Sequence, residues 1–146
     1  MVSLVLVSHV YEIAIGAKIL AEQMSTDQVR IEAVGGLPAA ADHDGDAAAE
    51  QQMIVGTDAV QIADAIQRCW STDGVLLLVD LGSAVLSTEL AIELLPDDMR
   101  TNCLISNAPL VEGAVMAAVE ASLGHPLAMV NEAAEGIVQI PKVVRL

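Results

Sequence analysis

The chain is almost without aromatic side chains: phenylalanine is absent, and one tryptophan and one tyrosine stand among 146 residues. Apolar residues nevertheless reach 54%, so the core must be packed from alanine, valine, leucine and isoleucine. Small side chains let helices lie close on a sheet, which suits a layered α/β fold. Basic residues are scarce as well, six Lys and Arg against 20 Asp and Glu, for a formal charge of −14. That balance argues against nucleic acid or an anionic membrane as a partner, since both are held by cationic side chains. It favours solubility and attraction to partners with a basic face.

Other absences narrow the reading further. The two cysteines, Cys69 on an expected helix and Cys103 on an expected strand, have no metal-ligand spacing and read as plain buried thiols. Apolar runs such as VLLLV at 75–79 are far too short to cross a bilayer. The amino terminus has neither a basic flank nor a small-residue cleavage site, so no signal peptide is expected and the location read is cytoplasmic. A Walker loop, a GxGxxG turn and a GxSxG elbow are all missing, which argues against nucleotide binding and serine hydrolysis. No internal repeat is visible, and the length fits one domain over 1–146.

What is present begins with VSLVLVSH at 2–9, an apolar run that stops on a histidine. Continuous aliphatic character reads as a strand buried on both faces, as in a parallel sheet. From Tyr11 to Met24, Ile13, Gly16, Ala17, Leu20, Ala21 and Met24 recur at helical spacing. His9 is thereby placed at the carboxyl edge of the sheet, where open α/β sheets put their ligand chemistry. VRIEAV at 29–34 reads as a second strand running into Gly35 and Gly36, a pair that marks a turn or a close backbone approach.

Residues 37–52, rich in Ala and acidic side chains, read as a surface loop between the second strand and its helix. DHDGD at 42–46 fails as a calcium loop, because Ala47 and Met53 stand where Gly and a bidentate Glu belong; His43 reads as solvated. After GTD at 56–58, with Thr57 or Asp58 as cap, a helix runs to about Trp70. VLLLV is the third strand, ended by Asp80, and a helix follows from about Ser83 to Leu95 with Leu86, Leu90 and Leu94 in register. CLIS at 103–106 is the fourth strand, and Val111, Val115 and Val119 line the next helix up to a C′ glycine, Gly124. His125 reads as a helix-end cap or a solvated ring. The tail 137–146 reads either as a last edge strand or as a disordered end.

Strand–helix units repeated four times predict an α/β fold: a mostly parallel, open, four-stranded sheet in the order 2-1-3-4, with helices on both faces. In that order strands one and three are neighbours, so His9 and Asp80 meet at the topological switch point. Asp80 can then accept the proton of one imidazole nitrogen and leave the other as a nucleophile. Gly82 and Ser83, opening a helix, supply N–H groups and a hydroxyl for an anion; Thr57 is a second such donor, and Gly36 a close backbone approach. Lys18, Arg30 and Arg68 read as surface charges outside the site.

The segments VSLVLVSH, GTDAVQIADAI, VLLLVDLGSAVLSTELAIELL and APLVEGAVMAA resemble the mannose-type enzyme IIA domain of the phosphoenolpyruvate:sugar phosphotransferase system. Over roughly 1–124 the likeness is greatest to the form that serves bacterial dihydroxyacetone kinases. The resemblance implies a phosphotransferase with a covalent phosphohistidine at His9, Asp80 as its partner, and Gly82, Ser83 and Thr57 around the phosphoryl group. It implies HPr as donor, and as acceptor ADP held with Mg²⁺ on a helical kinase subunit. It further implies a homodimer, and no metal or cofactor bound by the chain itself. Val10 departs from the small polar residue usual after the histidine, and 37–52 and the tail have no counterpart. The chain is too short to carry appended HPr-like segments, so a separate HPr is expected. Alternatives are an enzyme IIA component of a sugar permease and a non-catalytic dimeric α/β regulatory module.

Overall fold

A computed structural model describes residues 1–38 and 54–145. Six residues of the first apolar run form β1 (Ser3–Ser8), followed by α1 (Tyr11–Glu22) and β2 (Ile31–Gly35). Next come α2 (Ala59–Cys69), β3 (Val75–Val79) and α3 (Gly82–Glu93). A four-residue α4 (Asp97–Arg100), β4 (Cys103–Ser106), α5 (Leu110–Ser122) and α6 (Leu127–Gly136) complete the order. The sheet runs β2-β1-β3-β4 with every pairing parallel, as the strand–helix alternation predicts. The acidic loop from residue 39 on, with DHDGD and His43, lies outside the described residues, as does Leu146.

Pleating sends alternate residues of β1 to opposite faces. Val2, Leu4 and Leu6 pack with Leu76 and Leu78 beneath the alanines of α1 and α5 and Val130 of α6. Val5 and Val7 pack with Val75 and Leu77 against Ile62 and Ile66 of α2 and Ala84, Ala91 and Leu95 around α3. The result is three layers, with β1 and β3 buried at the centre.

Helical spacing finds these helices and, for α2, the buried face, with Ile62, Ala63, Ile66 and Cys69 all inside; for α1, α3 and α5 it does not single out the face that is buried. α1 rests on the sheet through Ala14, Ala17 and Ala21; its larger Ile13 and Leu20 are exposed, as is Met24 just beyond its end. α3 buries Ala84, Thr88 and Ala91, and the line Leu86, Leu90, Leu94 faces outward. α5 buries Gly113, Ala114, Ala117, Ala118 and Ala121, leaving Val111 exposed and Val115 and Val119 half-buried. The reason is steric: in a chain without phenylalanine, alanine faces bring helix axes closest to the aliphatic sheet.

Two elements go beyond the sequence reading, α4 and α6. Residues 127–136 follow Pro126, which stands at the N-cap of α6, where its missing N–H is harmless. The tail corrects an expectation, for no edge strand forms among the described residues. The chain instead leaves α6 through a 3₁₀ turn, Ile137–Gln139, keeping its helical sense and never running alongside β4. Gly124 is the positive-φ glycine after α5, as read from sequence.

Candidate functional site

The site is assembled by register. β1 and β3 are neighbours with Val7 opposite Val79, so the residues after each strand emerge together at the carboxyl edge. Asp80 then accepts four hydrogen bonds. Oδ1 receives the His9 ring Nδ1–H at 2.9 Å and the Leu81 backbone N–H at 2.8 Å. Oδ2 receives the His9 backbone N–H at 2.9 Å and the Ser8 hydroxyl at 2.9 Å. Burial works to raise the Asp80 carboxyl, but donation from His9, Ser8 and Leu81 outweighs it and holds the group below its ordinary range. An ionised carboxylate only accepts, so the imidazole proton belongs on Nδ1. That leaves the Nε2 lone pair, which accepts from the Ser83 hydroxyl at 2.7 Å.

Ser83 lies in the first turn of α3, whose N-cap Leu81 offers no side-chain acceptor. The Ala84 N–H turns back to the Leu81 carbonyl at 2.9 Å, and among the described residues the Gly82 and Ser83 N–H groups that precede it are open to an anion. Gly82 begins that turn, exposed, with open space where a Cβ would be.

Gly36 and Gly35 divide the two roles read for a glycine pair. Gly36 takes φ +70° and lines a small hollow of about 20 Å³ with His9, Val10, Tyr11, Glu12, Ile54 and Val55. Gly35 makes the close approach: a Cβ on it would lie 2.0 Å from the Ser8 carbonyl oxygen.

At the head of α2, Asp58 is the cap, accepting the Val60 N–H at 2.9 Å. Thr57 is turned to α3, where its hydroxyl and that of Ser87 share a hydrogen bond of 2.7 Å. No hydrogen bond joins Thr57 to His9 among the described residues; the link from this loop is the Gly56 N–H to the His9 carbonyl, 2.9 Å. Lys18, Arg30 and Arg68 are engaged elsewhere, with Glu22, the Trp70 carbonyl and Glu32 respectively. His125 pairs with Glu120 at 2.6 Å at the end of α5. Burial pushes the thiols of Cys69 and Cys103 up to about 12 and about 11, so neither is a ready nucleophile.

Two contributors escape a sequence reading. Ser8 is only a small polar residue within VSLVLVSH, with nothing in the sequence to mark it, although its hydroxyl touches Asp80 directly. Ser87 is signalled only by its place one turn after Ser83 on the same helix.

The site is thus a half-buried histidine held by an aspartate at the carboxyl end of a parallel strand, with its second ring nitrogen turned to a serine hydroxyl. Residues 3–131 match the EIIA-man family, described as the PTS system fructose IIA component, and the chain belongs to that family. Among its relatives is a Listeria innocua protein named PEP-dependent dihydroxyacetone kinase 2, phosphoryl donor subunit DhaM. It is 37% identical over 139 residues, which are 95% of either chain. The Escherichia coli K12 protein named as the DhaM phosphoryl donor subunit is 38% identical over 125 residues, 85% of this chain and 24% of its own length. A solved structure titled as the unknown function protein EF1359 superposes with a TM-score of 0.73 at 34% identity, covering 92% of this chain and 93% of the other.

Proposed function

We propose that the chain is the phosphoryl-carrier subunit of a phosphoenolpyruvate-dependent dihydroxyacetone kinase, with His9 as the carrier residue. The observation that carries this reading is the paired bonding of the His9 ring: Nδ1–H on Asp80 at 2.9 Å and Nε2 facing the Ser83 hydroxyl at 2.7 Å.

In the first step the Nε2 lone pair attacks the phosphorus of phospho-HPr. A new N–P bond forms as the donor's own N–P bond breaks, and the electron pair returns to the donor nitrogen. Asp80 stabilises the positive charge that develops on the ring. Ser83 and the open N–H groups at the start of α3, Gly82 included, face the incoming phosphoryl oxygens, where helix-terminus contributions are about 0.3–1 kcal/mol each. Thr57 acts through Ser87, steadying α3 against the loop that carries Gly56. In the second step a terminal oxygen of ADP on the kinase subunit attacks the same phosphorus, the Nε2–P bond breaks, and His9 returns to its neutral tautomer. Mg²⁺ and the cationic groups that balance the charge belong to the partner, and this chain binds no cofactor of its own.

The charge of −14 favours docking by partners with a basic face. A homodimer and a cytoplasmic location are part of the same reading. The exposed line Leu86, Leu90, Leu94 offers apolar area for a second copy. Among the described residues no helix is long and apolar enough to cross a membrane.

Reconstitution decides between this role and service to a sugar permease. With phosphoenolpyruvate, enzyme I, HPr and the ADP-bearing kinase subunit, the carrier role predicts phosphate transfer from the chain to that ADP. Phosphorylated chain that never discharges to the kinase subunit would count against it.

A further inference from the structure

Ser8 is fully buried, and strand alternation puts its side chain in the row of Leu4 and Leu6, among aliphatics. A hydroxyl in that row is unfavourable unless it is fully paired, so packing alone would favour alanine or valine there. It is paired on both sides: its oxygen accepts the Val10 N–H at 3.1 Å, and it bonds Asp80 Oδ2 at 2.9 Å. The direction of these bonds is fixed by chemistry. An amide N–H gives and a carboxylate takes, so the one hydroxyl proton goes to Asp80. The main chain of Ser8 is itself clamped by Gly35, whose backbone leaves no room for a side chain against the Ser8 carbonyl.

We propose that Ser8 is a positioning residue: its buried hydroxyl, anchored on the Val10 N–H at the head of α1, fixes the Asp80 carboxylate plane so that Oδ1 faces the His9 ring. The consequence is that the ring proton stays on Nδ1 and the lone pair stays on Nε2. Its value for phosphoryl transfer rests on the carrier role of His9, but the positioning itself is readable in the unphosphorylated protein. A continuous path results, from α1 through Ser8, Asp80 and the imidazole to Ser83 on α3. Among the described residues that bond Asp80, His9 is titratable, and Ser8 and Leu81 are neutral.

The test is nuclear magnetic resonance on the intact, unphosphorylated chain with ¹⁵N-labelled histidine and ¹³C-labelled aspartate. Wild type is expected to show His9 as a single Nδ1–H tautomer. In Ser8→Ala the Asp80 titration midpoint should rise toward the ordinary carboxylate value, and His9 should become a tautomer mixture. In an Asp80→Asn background the same Ser8→Ala change should leave the His9 signals where Asp80→Asn alone puts them. Should alanine unfold the chain, Ser8→Cys, a slightly larger side chain that offers only a weak donor, reads the same two signals. Unchanged Asp80 and His9 signals in Ser8→Ala, or an equal effect with and without Asp80, would overturn the proposal. Absent phosphorylation of His9 with these signals behaving as expected would instead refute the carrier role and leave the positioning intact.

Discussion

Both oxygens of Asp80 are bonded to His9: one accepts the ring Nδ1–H and the other the backbone N–H, each at 2.9 Å. The carboxylate therefore fixes the main chain and the imidazole of the same residue, and the ring cannot turn without breaking a charge-assisted bond. Such bonds are worth about 1.5–3 kcal/mol, or roughly ten- to a hundredfold in rate. Asp80→Asn is accordingly expected to slow phosphoryl acceptance by about that factor in a rapid-quench assay, while the far-ultraviolet spectrum stays unchanged.

Acid should loosen this corner of the fold. The Asp80 carboxyl is lower in the folded chain than when unfolded, so its stabilising contribution is complete above the unfolded value and is lost as pH falls through the folded one. Wild type should exceed Asp80→Asn in denaturant midpoint near neutrality, and the difference should shrink below the ordinary carboxylate range. A gap that stays constant down to acid pH would show that Asp80 contributes by shape and not by charge.

Ser83 bonds Nε2, the nitrogen proposed to carry the phosphoryl group, and on that reading its hydroxyl turns from Nε2 to a phosphoryl oxygen as transfer proceeds. A neutral hydrogen bond contributes about 0.5–1.5 kcal/mol. Ser83→Ala should therefore shorten the lifetime of the phosphorylated chain roughly two- to tenfold, measured as release of labelled phosphate. Because Ser83 is exposed, its melting temperature should hardly move.

Gly35 is required by close packing, not by its φ. A methyl group there would meet the Ser8 carbonyl oxygen at 2.0 Å, and backbone must shift to admit it. Gly35→Ala is expected to destabilise the chain by about 3 kcal/mol in urea unfolding. Gly16, in α1 with open space around it, is the control: Gly16→Ala should be neutral or stabilising.

The strands and the central pair were legible because aliphatic runs ending on an ionisable residue leave few other readings. VSLVLVSH and VLLLVD each name a buried strand and the group at its carboxyl end, and parallel order does the rest. What stayed hidden depends on which way a side chain turns. Thr57 is visible as one of two candidate caps for α2, but only the approach of α3 decides that its hydroxyl meets Ser87 and not His9. Leu86, Leu90 and Leu94 have the spacing of a buried stripe, and Ala84 and Ala91 occupy that role because they permit closer contact. The tail alternates like a strand, but its path is set by α6 and the 3₁₀ turn, which local alternation does not reveal.

The most direct test of the central claim is the site of phosphate attachment. After incubation with phosphoenolpyruvate, enzyme I and HPr, the chain should carry an acid-labile, base-stable phosphate, assigned by ¹⁵N and ³¹P resonance to Nε2 of His9. His9→Gln should remain unlabelled. Normal labelling of His9→Gln, or phosphate found on Nδ1, would contradict the account.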